Sequence, residues 1–312
     1  MPMPMSAVTP RISTTVRSAL TIGGLRLAFR TCSLLAPAIA ARRAARLFGT
    51  PQRSSRTRAL AAPAGDETRG TIDMDGQSIA TYAWGDPATQ PYVLFVHGWS
   101  SHGTRFLPWV PHLRAAGYAV VAFDQPAHGR SSGTRSTLPE FACTLFAVVQ
   151  HFGPAAAVVG HSLGGAAVAV ALARGLRAAR TILLAPAADP VDATLRFGRL
   201  LRLPERICRR MMAGFEAAIG VAFDDLQAHR NAPWIGCPAL VVHDLEDREV
   251  PWHEGERYAR LWPRARLVST RGLGHNRIVQ DGEVIAMGLA FLRGEPVGDR
   301  VVSSPNLPYG FA

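Results

Sequence analysis

Ser162 is the residue whose neighbours mark it most clearly for chemistry. It lies in Gly160-His161-Ser162-Leu163-Gly164, after the apolar run Ala156 to Val159 and before an Ala-rich stretch of helical character. A serine on a sharp strand-to-helix turn stands its hydroxyl clear of the backbone, and small residues beside it let strand and helix approach. The helix behind it turns its positive N-terminal end toward any oxyanion formed nearby. A hydroxyl is a weak nucleophile, so it needs a base, and the base needs a group that fixes its tautomer and stabilises its cation. Ten histidines compete for the role of base. His275, in Gly272-Leu273-Gly274-His275, follows the last strand-like run in a loop able to carry a ring to the strand ends. His97, His128 and His161 belong to turn motifs and are expected to hold loops, while His102, His112, His151, His229, His243 and His253 are expected at surface or packing positions. The orienting acid is expected at a strand end between serine and histidine in chain order, where Asp247 follows the run Ala239 to His243.

Such residues need a rigid frame, and the chain from residue 71 onward supplies one. Thr71 to Met74 and Ser78 to Trp84 flank Asp75-Gly76, which predicts a hairpin. Beyond it, the apolar runs Tyr92 to Val96, Ala119 to Phe123, Ala156 to Val159, Thr181 to Leu184, Ala239 to His243 and Arg266 to Ser269 alternate with helix-length segments. The helical segments are Leu107 to Ala116, Pro139 to Phe152, Gly165 to Arg174, Trp252 to Trp262 and Glu283 to Leu292. Continuous apolar strands alternating with helices predict a doubly wound, mostly parallel α/β sheet covered on both faces, with ligands beyond the carboxyl ends of its strands. Between Ala185 and Pro233 the alternation stops, and the expected helical insertion, 186–235, has the position of a lid. Its arginines 196, 199, 202, 206, 209 and 210 recur at helical spacing. Two readings stay open for them: a solvated face, or attraction for an anionic substrate or lipid.

Composition limits the rest. The chain has 312 residues, 48% of them hydrophobic, so a large core is available. Four cysteines without a C-x-x-C pair give neither a disulfide scaffold nor a zinc ribbon, and Cys32, Cys143, Cys208 and Cys237 are expected as reduced, mostly buried thiols. No metal and no cofactor are expected. No apolar run reaches the roughly 18 residues of a spanning helix. The net charge of +11 is concentrated in residues 1–70, where 11 of the 34 basic residues meet only Asp66 and Glu67. The remainder is nearly neutral, which argues against nucleic acid as a partner. Residues 1–70 are expected as a basic appendage, either helices that pack on the body or touch an anionic membrane, or a loosely ordered tail. Domain 71–312 follows it. The expected location is cytoplasmic, with membrane association at the inner face.

On these motifs, residues 71 to about 293 resemble the α/β-hydrolase superfamily, in its esterase and lipase-like branch. The motifs are His97-Gly98-Trp99, the run Asp124 to Ser131, the serine turn through Gly165, the run His243 to Pro251, and Gly274-His275. The resemblance implies an eight-stranded sheet and assigns Ser162, Asp247 and His275 as nucleophile, acid and base. It also implies an oxyanion hole from the backbone N–H groups of Leu163 and Trp99. Ala127 and Asp244 stand where the family often has glycine, and Asp244 leaves a second carboxylate beside the expected acid. Serine at the turn argues against the branches that use a carboxylate there. The implied function is hydrolysis of a carboxylic ester on a small-molecule acyl substrate, with His102 and Phe106 expected in the pocket. Acyl transfer, thioester or peptide cleavage by the same residues, and a non-catalytic binding protein, are the alternatives.

Overall fold

Strand residues that are buried on both faces dictate the centre of the molecule, a computed structural model of which describes residues 14–62 and 65–301. Three helices come first: α1 (Thr14–Leu35), α2 (Pro37–Phe48) and α3 (Arg53–Ala61). Strands β1 (Thr68–Met74) and β2 (Gln77–Trp84) then form the expected hairpin. Its two turn residues, Asp75 and Gly76, both have positive φ, 52° and 79°, as a tight two-residue turn requires. β1 starts at Thr68, so the expected boundary at residue 70 falls inside the first strand: Thr68 to Gly70 pair with Thr81 to Ala83 although their side chains are exposed.

From here strand and helix alternate: β3 (Tyr92–Val96), a 3₁₀ segment (Gly103–Trp109) leading into α4 (Val110–Ala115), β4 (Ala119–Phe123), α5 (Leu138–Phe152), β5 (Ala155–His161), α6 (Leu163–Ala173) and β6 (Ala178–Leu184). The helical insertion follows, with α7 (Pro190–Leu201), α8 (Glu205–Ile219) and the single turn α9 (Ala228–Asn231). Then come β7 (Ala239–Asp244), α10 (Trp252–Leu261), β8 (Ala265–Thr270), the turn α11 (Gly274–Arg277) and α12 (Gly282–Leu292). The eight strands lie in the order β1-β2-β4-β3-β5-β6-β7-β8, antiparallel at β1 and β2 and parallel from β4 to β8.

Alternation along the strands divides the core into two layers. Leu94, Val96, Val121, Phe123, Val158, Leu183 and Val241 face α5, α6 and α10. Val93, Phe95, Val120, Val159, Ile182, Leu184, Leu240 and Val242 face α4 and α12. Burial of each such side chain stabilises the sheet by about 1.5–3 kcal/mol.

A third cluster lies apart from the sheet. Phe29 of α1 and Ala40, Ala41 and Ala44 of α2 are buried against Leu201, Leu203, Ile207, Cys208 and Met211 of the insertion. The segment expected as an appendage therefore contributes helices to the same layer as α7 and α8; its first 13 residues, with Arg11, lie outside the described residues. Alanines at 40, 41 and 44 let α2 approach α8 closely, and Arg26 Nε donates to the Leu200 carbonyl at 2.9 Å. The insertion is also tied to the body. Arg196 reaches the fully buried Glu254 of α10 at 2.6 Å, and the other Glu254 oxygen accepts the Ala188 N–H at 2.6 Å. Arg199 pairs with Asp192, and Arg209 with Glu205. All four cysteines are free, but only Cys208 is buried and Cys143 is exposed, because it points outward from the amphipathic α5. No described helix is long and apolar enough to cross a membrane.

Candidate active site

The turn from β5 to α6 holds Ser162 at φ 55° and ψ −123°, a left-handed conformation that a serine adopts only under strong constraint. The constraint is the packing around it. A side-chain carbon at Gly160 would lie 2.7 Å from the Gly165 Cα, and one at Gly164 only 2.4 Å from the Val96 carbonyl oxygen. Only glycine at both positions lets the helix start so close to β3 and β5. Ser162 N–H donates to the Leu184 carbonyl at 3.0 Å, which fixes the turn to β6.

His275 reaches this serine from the far edge of the sheet. Its Nε2 lies 2.9 Å from Ser162 Oγ, and its Nδ1 lies 2.7 Å from Asp247 Oδ2. Nδ1–H donating to the carboxylate leaves Nε2 free to accept from the hydroxyl, so one tautomer satisfies both contacts. All three residues are buried, with Ser162 and His275 8% exposed and Asp247 9%. Burial by itself would raise the Asp247 carboxyl. Hydrogen bonds from His243, His275 and the Val250 N–H outweigh that effect and hold it well below the usual carboxylate range. The acid therefore stays ionised opposite the ring.

The second carboxylate has a different task. Asp244 Oδ2 accepts from Thr270 Oγ1 at 2.8 Å and from the Leu273 N–H at 3.0 Å, and its Oδ1 accepts the Glu246 N–H at 2.9 Å. Asp244 joins the loop that carries Asp247 to the loop that carries His275, and touches neither reactive atom. Arg105 adds a further tie, donating from Nη2 to both the backbone carbonyl and Oδ1 of Asn276 at 2.8 Å.

His97, His128 and His161 hold loops. His97 Nδ1 lies 2.7 Å from the Gly98 carbonyl, while its Nε2 accepts the Gln125 N–H at 2.9 Å. His128 spans the Pro126 carbonyl and the Ser100 N–H in the same way. Burial pushes both rings down to about 3, so they are neutral. His161 donates from Nε2 to the His275 carbonyl at 2.9 Å and so ties down the backbone that carries that ring.

Of the two residues expected to supply oxyanion donors, Leu163 opens α6, so its N–H has no helical acceptor. Trp99 follows Gly98, whose backbone lies against Ser162: a carbon added there would be 2.8 Å from Ser162 Cβ. The Trp99 ring packs on Phe141 and His128. Of the two expected pocket residues, His102 is half-buried with Nδ1 on Thr104 Oγ1 at 2.8 Å. Phe106 is a correction. It is 1% exposed and packs at a tilt on Phe95, ring centres 4.6 Å apart, in the core layer under the sheet, because the 3₁₀ segment turns that position inward. Sequence reasoning also missed His243, set aside as a packing residue. It is fully buried, and its Nε2 lies 3.3 Å from the Asp247 oxygen that meets His275. Its place four residues before the acid was the available signal. Among the described residues, no group of three or more His, Cys, Asp or Glu side chains could hold a metal ion.

The model of the alpha/beta hydrolase family matches residues 93–287, well over half of the chain. The chain belongs to the alpha/beta hydrolase family. It is an enzyme of the hydrolase class. A bifunctional esterase/perhydrolase of Acinetobacter calcoaceticus is 26% identical over 70% of this chain and 97% of its own. A non-heme chloroperoxidase of Streptomyces lividans is 34% identical over 69% of this chain and 96% of its own. Among solved structures, a bacterial membrane phospholipase A superposes with a TM-score of 0.57 at 20% identity, covering 89% of this chain and 98% of its own.

Proposed function

We propose that this hydrolase cleaves a carboxylic ester by way of an acyl-enzyme on Ser162. The observation that carries the reading is the continuous hydrogen-bonded line Ser162 Oγ, His275, Asp247, with spacings of 2.9 and 2.7 Å on a strained turn. In this reading Ser162 Oγ attacks the ester carbonyl while His275 Nε2 takes its proton, and the ionised Asp247 stabilises the imidazolium. The Leu163 and Trp99 N–H groups donate to the carbonyl oxygen and stabilise the charge that develops on it. Collapse expels the alcohol, which takes the proton from His275. Water, activated by the same ring, then releases the acid and restores the serine. The helical insertion acts as a lid that limits water at this site. The substrate is a small acyl ester.

A second reading keeps the acyl-enzyme and changes the acceptor. The names of two relatives, an esterase/perhydrolase and a chloroperoxidase, favour hydrogen peroxide as that acceptor, giving a peracid in place of the acid. Both readings are tested together. Reaction with a fluorophosphonate followed by peptide mass mapping should label Ser162 alone. Short-chain nitrophenyl esters should be hydrolysed, and added peroxide should divert product to peracid only under the second reading. Labelling at another residue, or turnover without label, would refute both.

A further inference from the structure

We propose that the outer face of α1 and α2 is a docking surface for an anionic lipid bilayer. The buried side of α1 is formed by Phe29 and Ser33, which face the insertion. An α-helix turns 100° per residue, so Leu27, Leu34 and Leu35 come out on the far side, with Arg30 on the flank. The exposures agree: Leu27 is 66% exposed, Leu34 67% and Leu35 81%. α2 repeats the arrangement. Ala40, Ala41 and Ala44 face inward, while Ile39, Arg42, Arg43 and Arg46 face out. Large apolar side chains normally point into a packed layer, and here they stand on the side turned away from it.

Charge identifies the occupant. Residues 22–62 contain eight arginines and no acidic residue, and four of them, Arg30, Arg42, Arg43 and Arg46, stand exposed beside the leucines of α1 and α2. A protein partner with a mainly apolar face would leave the guanidinium groups desolvated and unpaired. A nucleic acid would pair with the arginines but give the leucines nothing to enter. A bilayer with anionic headgroups satisfies both at once, the arginines at the phosphate level and the leucines in the acyl boundary. No described helix is fit to span a membrane, so contact is in the plane of the surface. Leu200 of α7, whose carbonyl accepts from Arg26, is itself 52% exposed.

Co-sedimentation of the full chain with phosphatidylcholine vesicles, with and without phosphatidylglycerol, tests this. Binding should require phosphatidylglycerol and fall with added salt. Arg42→Glu with Arg43→Glu and Arg46→Glu should weaken it by about tenfold or more. Leu27→Ser with Leu34→Ser and Leu35→Ser, all exposed positions, should weaken it without changing its salt dependence. Hydrolysis of a soluble nitrophenyl ester, measured on the same preparations, should be unchanged in both variants, so failure to bind lipid and failure of the esterase reading are separate results. Equal binding to both vesicle types, unchanged binding in either variant, or equal binding to a short DNA duplex would overturn the proposal.

Discussion

Asp247 Oδ2 is shared by two imidazoles: His275 Nδ1 at 2.7 Å and His243 Nε2 at 3.3 Å. His243 Nε2 also lies 3.0 Å from the Val250 carbonyl, so the proton must sit on that nitrogen. His243→Leu removes a donor from the carboxylate and leaves its negative charge more fully directed at His275. The acid limb of the kcat/KM profile should therefore move to higher pH, and kcat should fall by about tenfold as the acid loses an anchor. An unchanged pH profile would reduce His243 to a packing residue.

Asp247→Asn should lower kcat by about 10⁴, since an amide favours the wrong ring tautomer. Asp244→Asn should act differently. It replaces a carboxylate that accepts three hydrogen bonds by a group that can satisfy only part of them, so it should cost about 1–3 kcal/mol of stability, seen as a lower Tm, with a smaller loss of kcat. Ser162→Ala should abolish turnover and leave Tm nearly unchanged.

Gly98→Ala tests the close approach at the nucleophile. The new methyl would lie 2.8 Å from Ser162 Cβ, 3.0 Å from the His161 carbonyl and 3.3 Å from Ser162 Oγ. None of these is the end of a flexible side chain. A fall in kcat of about 10²-fold is expected with a far smaller change in KM, because a displacement of this size spoils attack geometry.

Gln52 N–H donates to Ser100 Oγ at 2.9 Å, and Arg58 Nη2 donates to the Ser100 carbonyl at 3.0 Å. The α3 region thus grips the loop that follows Trp99. Arg58→Ala should lower kcat several-fold at constant KM. Removal of residues 1–62 should lower Tm and solubility as well, because it uncovers Leu201, Ile207 and Met211.

Acid should destabilise the fold through its buried neutral histidines. His97 and His128 are pushed down to about 3 by burial, whereas an unfolded histidine titrates near 6.5. The unfolded chain then binds more protons between these values, so the stabilisation is complete above pH 6.5 and is lost as pH falls toward 3. Each ring contributes a slope of about 1.4 kcal/mol per pH unit. Chemical denaturation at pH 7, 6 and 5 should show the decline, and replacing His128 by Gln should flatten it.

The sheet was legible because its strands are short apolar runs with nothing else to be. Tyr92–Val96 and Ala119–Phe123 have the expected ends, and β5 to β8 differ by one to three residues. Where expectation and structure part, the reason is a contact distant in sequence. β1 begins in a polar stretch because β2 offers it partners, and Phe106 turns inward because Phe95 lies beneath it. Ala127, which stands where the family often has glycine, keeps the turn at φ 67° and accepts the strain of a left-handed alanine. Strand-end logic brings Ser162, Asp247 and His275 together, and the structure holds them within hydrogen-bond distance. His243 stands four residues before Asp247, but that spacing alone does not separate a ring on the acid from a ring in the core. The grip of α3 on Ser100 joins residues 42 to 48 apart and leaves no local trace.

The pairing of α1 and α2 with the insertion has a consequence in time. Arg26 and Leu200 are 174 residues apart. At the roughly 5–20 residues per second of translation, the first helices leave the ribosome about 10–30 s before their partners exist. Throughout that interval Phe29 and the alanine stripe of α2 have no surface to cover. Completion of this layer is a late, long-range event in the birth of the chain, and nascent-chain lengths short of residue 211 are those in which these helices are open to capture by a chaperone.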